Sequence, residues 1–270
     1  MDWEEAVSAW SVTLRAAGRA GTTIATRTDH IRRVGRALGG SPWDVTGDDL
    51  LGYVGGQAWA RETRRSVRSS LVTFYSWGKA AGYIGSSPAE ELPAVAPGRP
   101  RARPTPERAY REALTRCSPR DRLILRLAGE TGLRRAEIAR IHADDVSEDL
   151  IGWSLLVHGK GGRQRVVPLP TPLALELRAR GEGVFAFPGA DGGHLSARWV
   201  GKIGAKALPH GWTLHSLRHR FATVAYGLDR DMFVVQELLG HASPVTTRRY
   251  VALDSDTLRS TVRRVSEWVA

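Results

Sequence analysis

Six side chains in the second half of the chain have types that hold or attack phosphates: Arg134, Lys160, His215, Arg218, His241 and Tyr250. They fall in four stretches, TGLRRAEIARI (131–141), VHGKGGRQRVVPL (157–169), LHSLRHRFAT (214–223) and LLGHASPVTTRRY (238–250). A phosphodiester resists attack because negative charge develops on oxygens that already repel a nucleophile. Two guanidiniums can grip the non-bridging oxygens with paired donors, a histidine can take a proton from the attacking group, and a lysine can deliver one to the departing alkoxide. Tyrosine is then a sensible nucleophile. Its phenol has a pKa of roughly 10, so phenolate is within reach beside Arg248 and Arg249, and phenolate can leave again when a sugar hydroxyl attacks. A covalent link of this kind conserves the energy of the phosphodiester, so neither ATP nor any other cofactor is needed. Glu137, three residues after Arg134 on the same helical face, suits an orienting role towards that guanidinium or a neighbouring histidine.

Each of these residues has a plainer reading. His215 and His219 have the i, i+4 spacing of zinc ligands, but Arg218 lies beside them and no acidic third ligand is near, so no metal site is expected. Gly159 to Gly162 lack the spacing of a nucleotide phosphate loop. Asp144 and Asp145 read as a helix exit and a solvated turn. Lys160 is either a general acid or a simple phosphate contact, and the residues alone leave that open.

These groups need a scaffold. Trp3, Val7, Trp10 and Leu14 recur at helical spacing, residues 24–38 and 50–60 read similarly, and 61–81 makes a longer helix. A helical domain over 1–93 follows. Prolines 97, 100, 104 and 106 with interspersed arginines mark an extended basic linker over 94–106. Beyond it, 107–270 is mostly helical, interrupted by two β-rich runs (153–158 and 163–169) around Gly159-Lys160-Gly161-Gly162, a predicted hairpin with Lys160 at its tip. The predicted class is mainly α with a small β-hairpin or sheet, α+β. Leu258, Val262, Val265 and Val269 form an apolar stripe on a last helix that docks either on its own domain or on a neighbouring subunit.

Lys plus Arg number 39 against 28 Asp plus Glu, a net charge of +11 that points to a polyanionic partner. Arg61, Arg64, Arg65 and Arg68 form one stripe of a helix, with only Glu62 to balance them, and are candidate DNA contacts; Val67, Leu71 and Phe74 form the packing stripe beside it. The single cysteine, Cys117, excludes an intrachain disulfide and a cysteine-based metal site. The N-terminus is acidic and amphipathic, unlike a signal peptide, and no apolar run approaches a membrane span. A cytoplasmic protein of a bacterial host cell, held with the nucleoid, is expected.

With these motifs in order, the chain resembles the tyrosine recombinase, or phage integrase, family: an Arg in TGLRxxE, a Lys at the tip of a GKG hairpin, HxLRH, then LGH followed by the tyrosine. Order and spacing agree over about 107–252, and no catalytic position is substituted. The resemblance implies a helical core-binding domain and a mixed α/β catalytic domain that clamp DNA. It implies that Tyr250 leaves a 3′-phosphotyrosine and a free 5′ hydroxyl, that two rounds of exchange pass through a Holliday junction, and that a homotetramer assembles on double-stranded core attachment sites from a monomeric or weakly associated protein. Arg248 and Arg249 would hold the Tyr250 segment on the DNA backbone.

The length ahead of the catalytic domain suits a simple recombinase without an arm-binding domain, with room for an accessory DNA-binding factor. The expected function is a phage or mobile-element integrase. A Xer-like resolvase of chromosome or plasmid dimers is the alternative within the same chemistry. A non-catalytic sequence-specific DNA-binding protein would explain the charge but not the joint presence of Tyr250, Lys160 and both arginines.

Overall fold

In the computed structural model, residues 1–98, 102–150, 152–159 and 162–240 are described. Lys160, His241, Arg248, Arg249, Tyr250 and the expected last helix lie outside them. The chain divides into two compact units, Met1–Arg99 and Pro100–Ala270.

Four helices build the first unit: α1 (Trp3–Ala16), α2 (Gly21–Leu38), α3 (Gly47–Gly55) and α4 (Arg61–Ala80), followed by a 3-10 turn at Pro88–Glu91. Reciprocal capping boxes start α1 (Asp2 with Glu5) and α3 (Thr46 with Asp49), each satisfying backbone N–H groups that have no partner inside the helix. The predicted helix over 50–60 instead runs 47–55. Thr46 starts it early, and Gly55-Gly56 end it where backbone entropy disfavours continuation. The core is built around Phe74 of α4. The ring of Trp10 meets it edge-on at 5.3 Å and that of Trp43 stacks on it at 5.6 Å, with Ile31, Leu50 and Leu71 fully buried nearby.

In the second unit, α5 (Glu107–Arg116) and α6 (Pro119–Glu130) lead to the short helix α7 (Arg135–Ala139) and a three-stranded antiparallel sheet. Its strands are β1 (Val146–Asp149), β2 (Gly152–His158) and β3 (Gln164–Leu169), in the order β1-β2-β3. The predicted hairpin is β2 and β3, paired from Trp153 with Leu169 to His158 with Gln164. Strand β1 has no counterpart in the sequence reading, because VSED offers one buried residue, Val146, and three exposed polar ones.

After the sheet come α8 (Thr171–Arg178), α9 (Ala197–Ala207), α10 (Leu214–Asp229) and α11 (Met232–Leu239). The segment between α8 and α9 is irregular, held by isolated bridges of His142 with Phe185 and Pro188 with His194, where continued helix was predicted. Its glycines at 181, 183, 189, 192 and 193 explain the difference. Leu123, Ile124, Leu125 and Leu127 put α6 at the centre of the core, packed by α5, α8, α9 and α10. Helix α11 lies on α10 through Val235 and Leu239 against Ala222 and Phe221. Among the described residues no helix is long and apolar enough to cross a membrane.

Candidate active site

Arg134 ends the turn that follows α6. Gly132 opens that turn with φ +68°, and a Cβ there would stand 2.4 Å from the ring of Phe221. Glycine is therefore required both by conformation and by close approach. Arg134 is the residue before α7, and its backbone N–H donates to Glu137 Oε2 at 2.8 Å while its Nη1 donates to Glu137 Oε1 at 2.8 Å. The same guanidinium reaches the end of α11, at 3.2 Å from the Leu239 carbonyl and 3.5 Å from that of Gly240. Its side chain is still 40% exposed, so an incoming anion has access to it.

Arg218 comes from the second turn of α10. The helix starts at Thr213, whose hydroxyl accepts from the Ser216 N–H, and Ser216 Oγ lies 2.7 Å from Thr105 Oγ1, tying the helix start to the chain entering the unit. Arg218 is 1% exposed. Its Nη1 donates to the Gly132 carbonyl and its Nη2 to the Leu239 carbonyl at 2.7 Å, and Nη1 lies 4.0 Å from Glu137 Oε2. Two guanidiniums predicted from separate motifs thus meet over one carboxylate and one helix end.

Glu137 is buried. Loss of hydration alone would push its carboxyl up, but hydrogen bonds from Arg165 and the Arg134 backbone, the charge of Arg165 and a bond from the Arg134 side chain hold it down at about 2. Arg165 was not among the predicted site residues. It projects from β3 on the same face as the buried Val167 and Leu169, and an arginine at an inward position of an alternating strand is the signal that points to a buried anion.

His215, one turn before Arg218, lies beside a cavity of about 700 Å³ lined by Arg134, Arg135, Arg198, Lys202, His215 and Arg218 among others. Solvent reaches the residue, yet the protein around it removes enough hydration to hold its pKa below the usual histidine value, and Arg218, Arg134 and Arg135 add to the effect. The ring of His219 meets that of His215 edge-on at 4.7 Å, and burial, then His215 and Arg218, bring His219 down to about 4. Both imidazoles are therefore neutral near pH 7. Arg135, Arg198 and Lys202, which the motifs did not single out, widen the positive rim.

In the first unit the predicted arginine stripe is divided in use. Arg64 donates to the carbonyls of Val54 and Gln57, both at 2.7 Å, and Arg68 donates twice to that of Leu92, at 3.1 and 2.8 Å. These two guanidiniums stitch α4 to neighbouring loops. Arg61 and Arg65 are exposed, Arg65 pairing with Glu62 at 3.1 Å.

The model of the phage integrase family matches residues 106–256. Tyrosine recombinase XerC of Chromobacterium violaceum is 32% identical over 278 residues, covering 93% of this chain and 91% of that protein. Among solved structures, a lambda integrase dimer bound to a COC′ core site is 18% identical with a TM-score of 0.76, covering 93% of this chain and 77% of that one. A lambda integrase tetramer bound to a Holliday junction is 19% identical with a TM-score of 0.74, covering 93% and 78%. At these identities the two structures show a likeness of fold.

The depressed Glu137 carboxyl has a consequence for stability. A group whose folded pKa lies below its unfolded value, here about 2 against roughly 4.3, contributes stability that is complete above the unfolded value and is lost as pH falls towards the folded one. Glu137→Gln is expected to be less stable than the parent at pH 7, with the gap narrowing as pH falls from about 5 towards 2. Urea unfolding of both proteins across that range measures the gap; a gap independent of pH would mean that the ionised carboxylate is not what the arginines hold.

Proposed function

The chain belongs to the phage integrase family, and from that premise we propose that it is a site-specific tyrosine recombinase that integrates a phage or mobile element at short core attachment sites. The observation that carries the reading is the convergence of Arg134, Arg218 and His215 on one cavity, with Tyr250 ten residues beyond Gly240 in the sequence.

Arg134 and Arg218 grip the non-bridging oxygens of the scissile phosphate, and they act from a setting where Arg218 is shielded from water and its charge is little screened. Tyr250 Oη attacks phosphorus, so a P–O bond to tyrosine forms as the bond to the 5′ oxygen breaks. The phenol proton passes to His215, whose pKa is lowered, or to His241, and Lys160 supplies a proton to the departing 5′ oxygen. That hydroxyl then attacks the phosphotyrosine of the partner duplex, displacing phenolate, and two such exchanges resolve through a Holliday junction. No cofactor enters the balance. The active assembly is a homotetramer on two duplexes in the bacterial cytoplasm, with Arg248 and Arg249 holding the Tyr250 segment to the backbone. The first unit is the core-binding domain and the second the catalytic domain.

A second reading, a Xer-like resolvase of chromosome or plasmid dimers, is favoured by the near full-length match to a XerC protein. The DNA around the gene separates the two. A core site adjoining the gene and repeated at the far end of an inserted element marks an integrase, and its absence favours the resolvase.

Tyr250→Phe removes only the nucleophilic oxygen, so this variant is expected to shift a nicked half-site as the parent does while forming no denaturant-resistant protein–DNA adduct. An adduct of normal yield would place the nucleophile elsewhere.

For the first unit, Arg61→Ala with Arg65→Ala is expected to make the slope of log affinity against log salt shallower by roughly one unit per lost phosphate contact, with little change in melting temperature. Arg64→Ala is expected instead to lower the melting temperature, since the carbonyls of Val54 and Gln57 lose a donor. An unchanged slope in the double variant would return these arginines to an ordinary solvated surface.

A further inference from the structure

Arg165 has no part in the chemistry above, yet it joins the pieces that do. It sits opposite Val157 in the β2–β3 pairing, with a side chain only 11% exposed. Its fork closes on both oxygens of Glu137, Nη1 to Oε1 and Nη2 to Oε2, each at 3.0 Å. Its Nε donates to the Leu238 carbonyl at 3.1 Å, in the last turn of α11. Room for this path exists because residue 240 is glycine: a Cβ there would stand 2.9 Å from Arg165 Cδ, and the backbone at Gly240 has φ +60°. One planar group thus holds the carboxylate that aims Arg134 and the helix end from which the chain runs on to His241.

We propose that Arg165 is a positioning residue for strand cleavage, fixing the Arg134 guanidinium through Glu137 and the end of α11 through Leu238; this rests on the recombinase reading of the site. Without the Arg165 fork, both oxygens of Glu137 are left to the other cations within reach, Arg134 at 2.8 Å and Arg218 at 4.0 Å. A carboxylate that lacks two of its donors draws those guanidiniums to itself and away from a phosphate. Lysine cannot replace the fork, because a single ammonium offers no paired, coplanar donors. The loss falls on the chemical step. Arg165 is too buried to serve as a DNA contact, so half-site affinity is retained.

The test is a double-mutant cycle on single-turnover formation of the covalent adduct with a nicked half-site. Arg165→Met and Arg165→Lys are each made in the parent and in an Arg134→Ala background, with half-site affinity and melting temperature measured alongside. In the parent, Arg165→Met is expected to slow adduct formation roughly 10²-fold, since a misplacement on the order of 1 Å costs about that much, while affinity stays within about twofold. In the Arg134→Ala background, the same substitution should cost several-fold less than in the parent, because the route through Glu137 to Arg134 is gone and only the tie to the end of α11 and the edge contact with Arg218 are left. Arg165→Lys keeps the charge and much of the volume; it is expected to remain folded and to show the same background dependence, which decides the matter if the methionine variant does not fold. Equal penalties in the two backgrounds, or losses that track melting temperature alone, overturn the proposal. A parent protein that forms no adduct overturns the recombinase reading and this inference together, so the two failures are told apart.

Discussion

A buried carboxylate must be matched by donors, and the second unit is arranged around that requirement at Glu137. An ionised group out of water costs several kcal/mol unless its oxygens are fully bonded. Here the donors come from two separate parts of the chain, Arg134 in the turn before α7 and Arg165 in β3, and Arg218 of α10 adds its charge 4.0 Å from Oε2. None of these elements can shift by a residue without leaving Glu137 short of a partner. The small sheet is thereby tied to the helical core by a polar link as well as by the burial of Leu155 and Val167.

The same arrangement leaves a surplus. Three guanidiniums share one carboxylate, and their other donors rest on carbonyls of Gly132, Leu238, Leu239 and Gly240. The carbonyl end of a helix carries partial negative charge, so α11 is held by cations where its dipole favours them. Positive charge still exceeds negative at the cavity, with Arg135, Arg198 and Lys202 adding to it. Arg134, 40% exposed, is held in place before any anion arrives, and fixed donors of that kind stabilise developing charge with little reorganisation. A lowered histidine pKa fits the same logic, because loss of hydration, with the charges of Arg218, Arg134 and Arg135 adding to it, favours the unprotonated form of His215.

Much of this was legible in the sequence, and the reasons for the exceptions are physical. The four motifs located Arg134, His215 and Arg218 because each pairs an unusual cation or imidazole with a glycine or helix start, and Glu137 followed from its three-residue offset. The hairpin followed from glycines between two β-rich runs. Arg165 is not legible from strand propensity, because the run RQRVVPL does not by itself say which alternate positions face inward. Arg64 and Arg68 looked like free cations on a helix face; their ties to the Val54, Gln57 and Leu92 carbonyls depend on loops whose paths a periodicity cannot supply. Strand β1 carries too little apolar pattern to be seen without its partner.

In the proposed reaction Arg134 and Arg218 serve the charge of the scissile phosphate, whereas Lys160 serves the leaving oxygen. A half-site whose scissile phosphate is replaced by a methylphosphonate lacks one negative oxygen. Adduct formation by Arg134→Ala and Arg218→Ala on that substrate, relative to the parent on the same substrate, should recover by orders of magnitude over the ratio on normal DNA, while Lys160→Ala should show no such recovery. If removing the charge helps neither arginine variant, or helps all three variants alike, the pair held by Glu137 is not a phosphate grip.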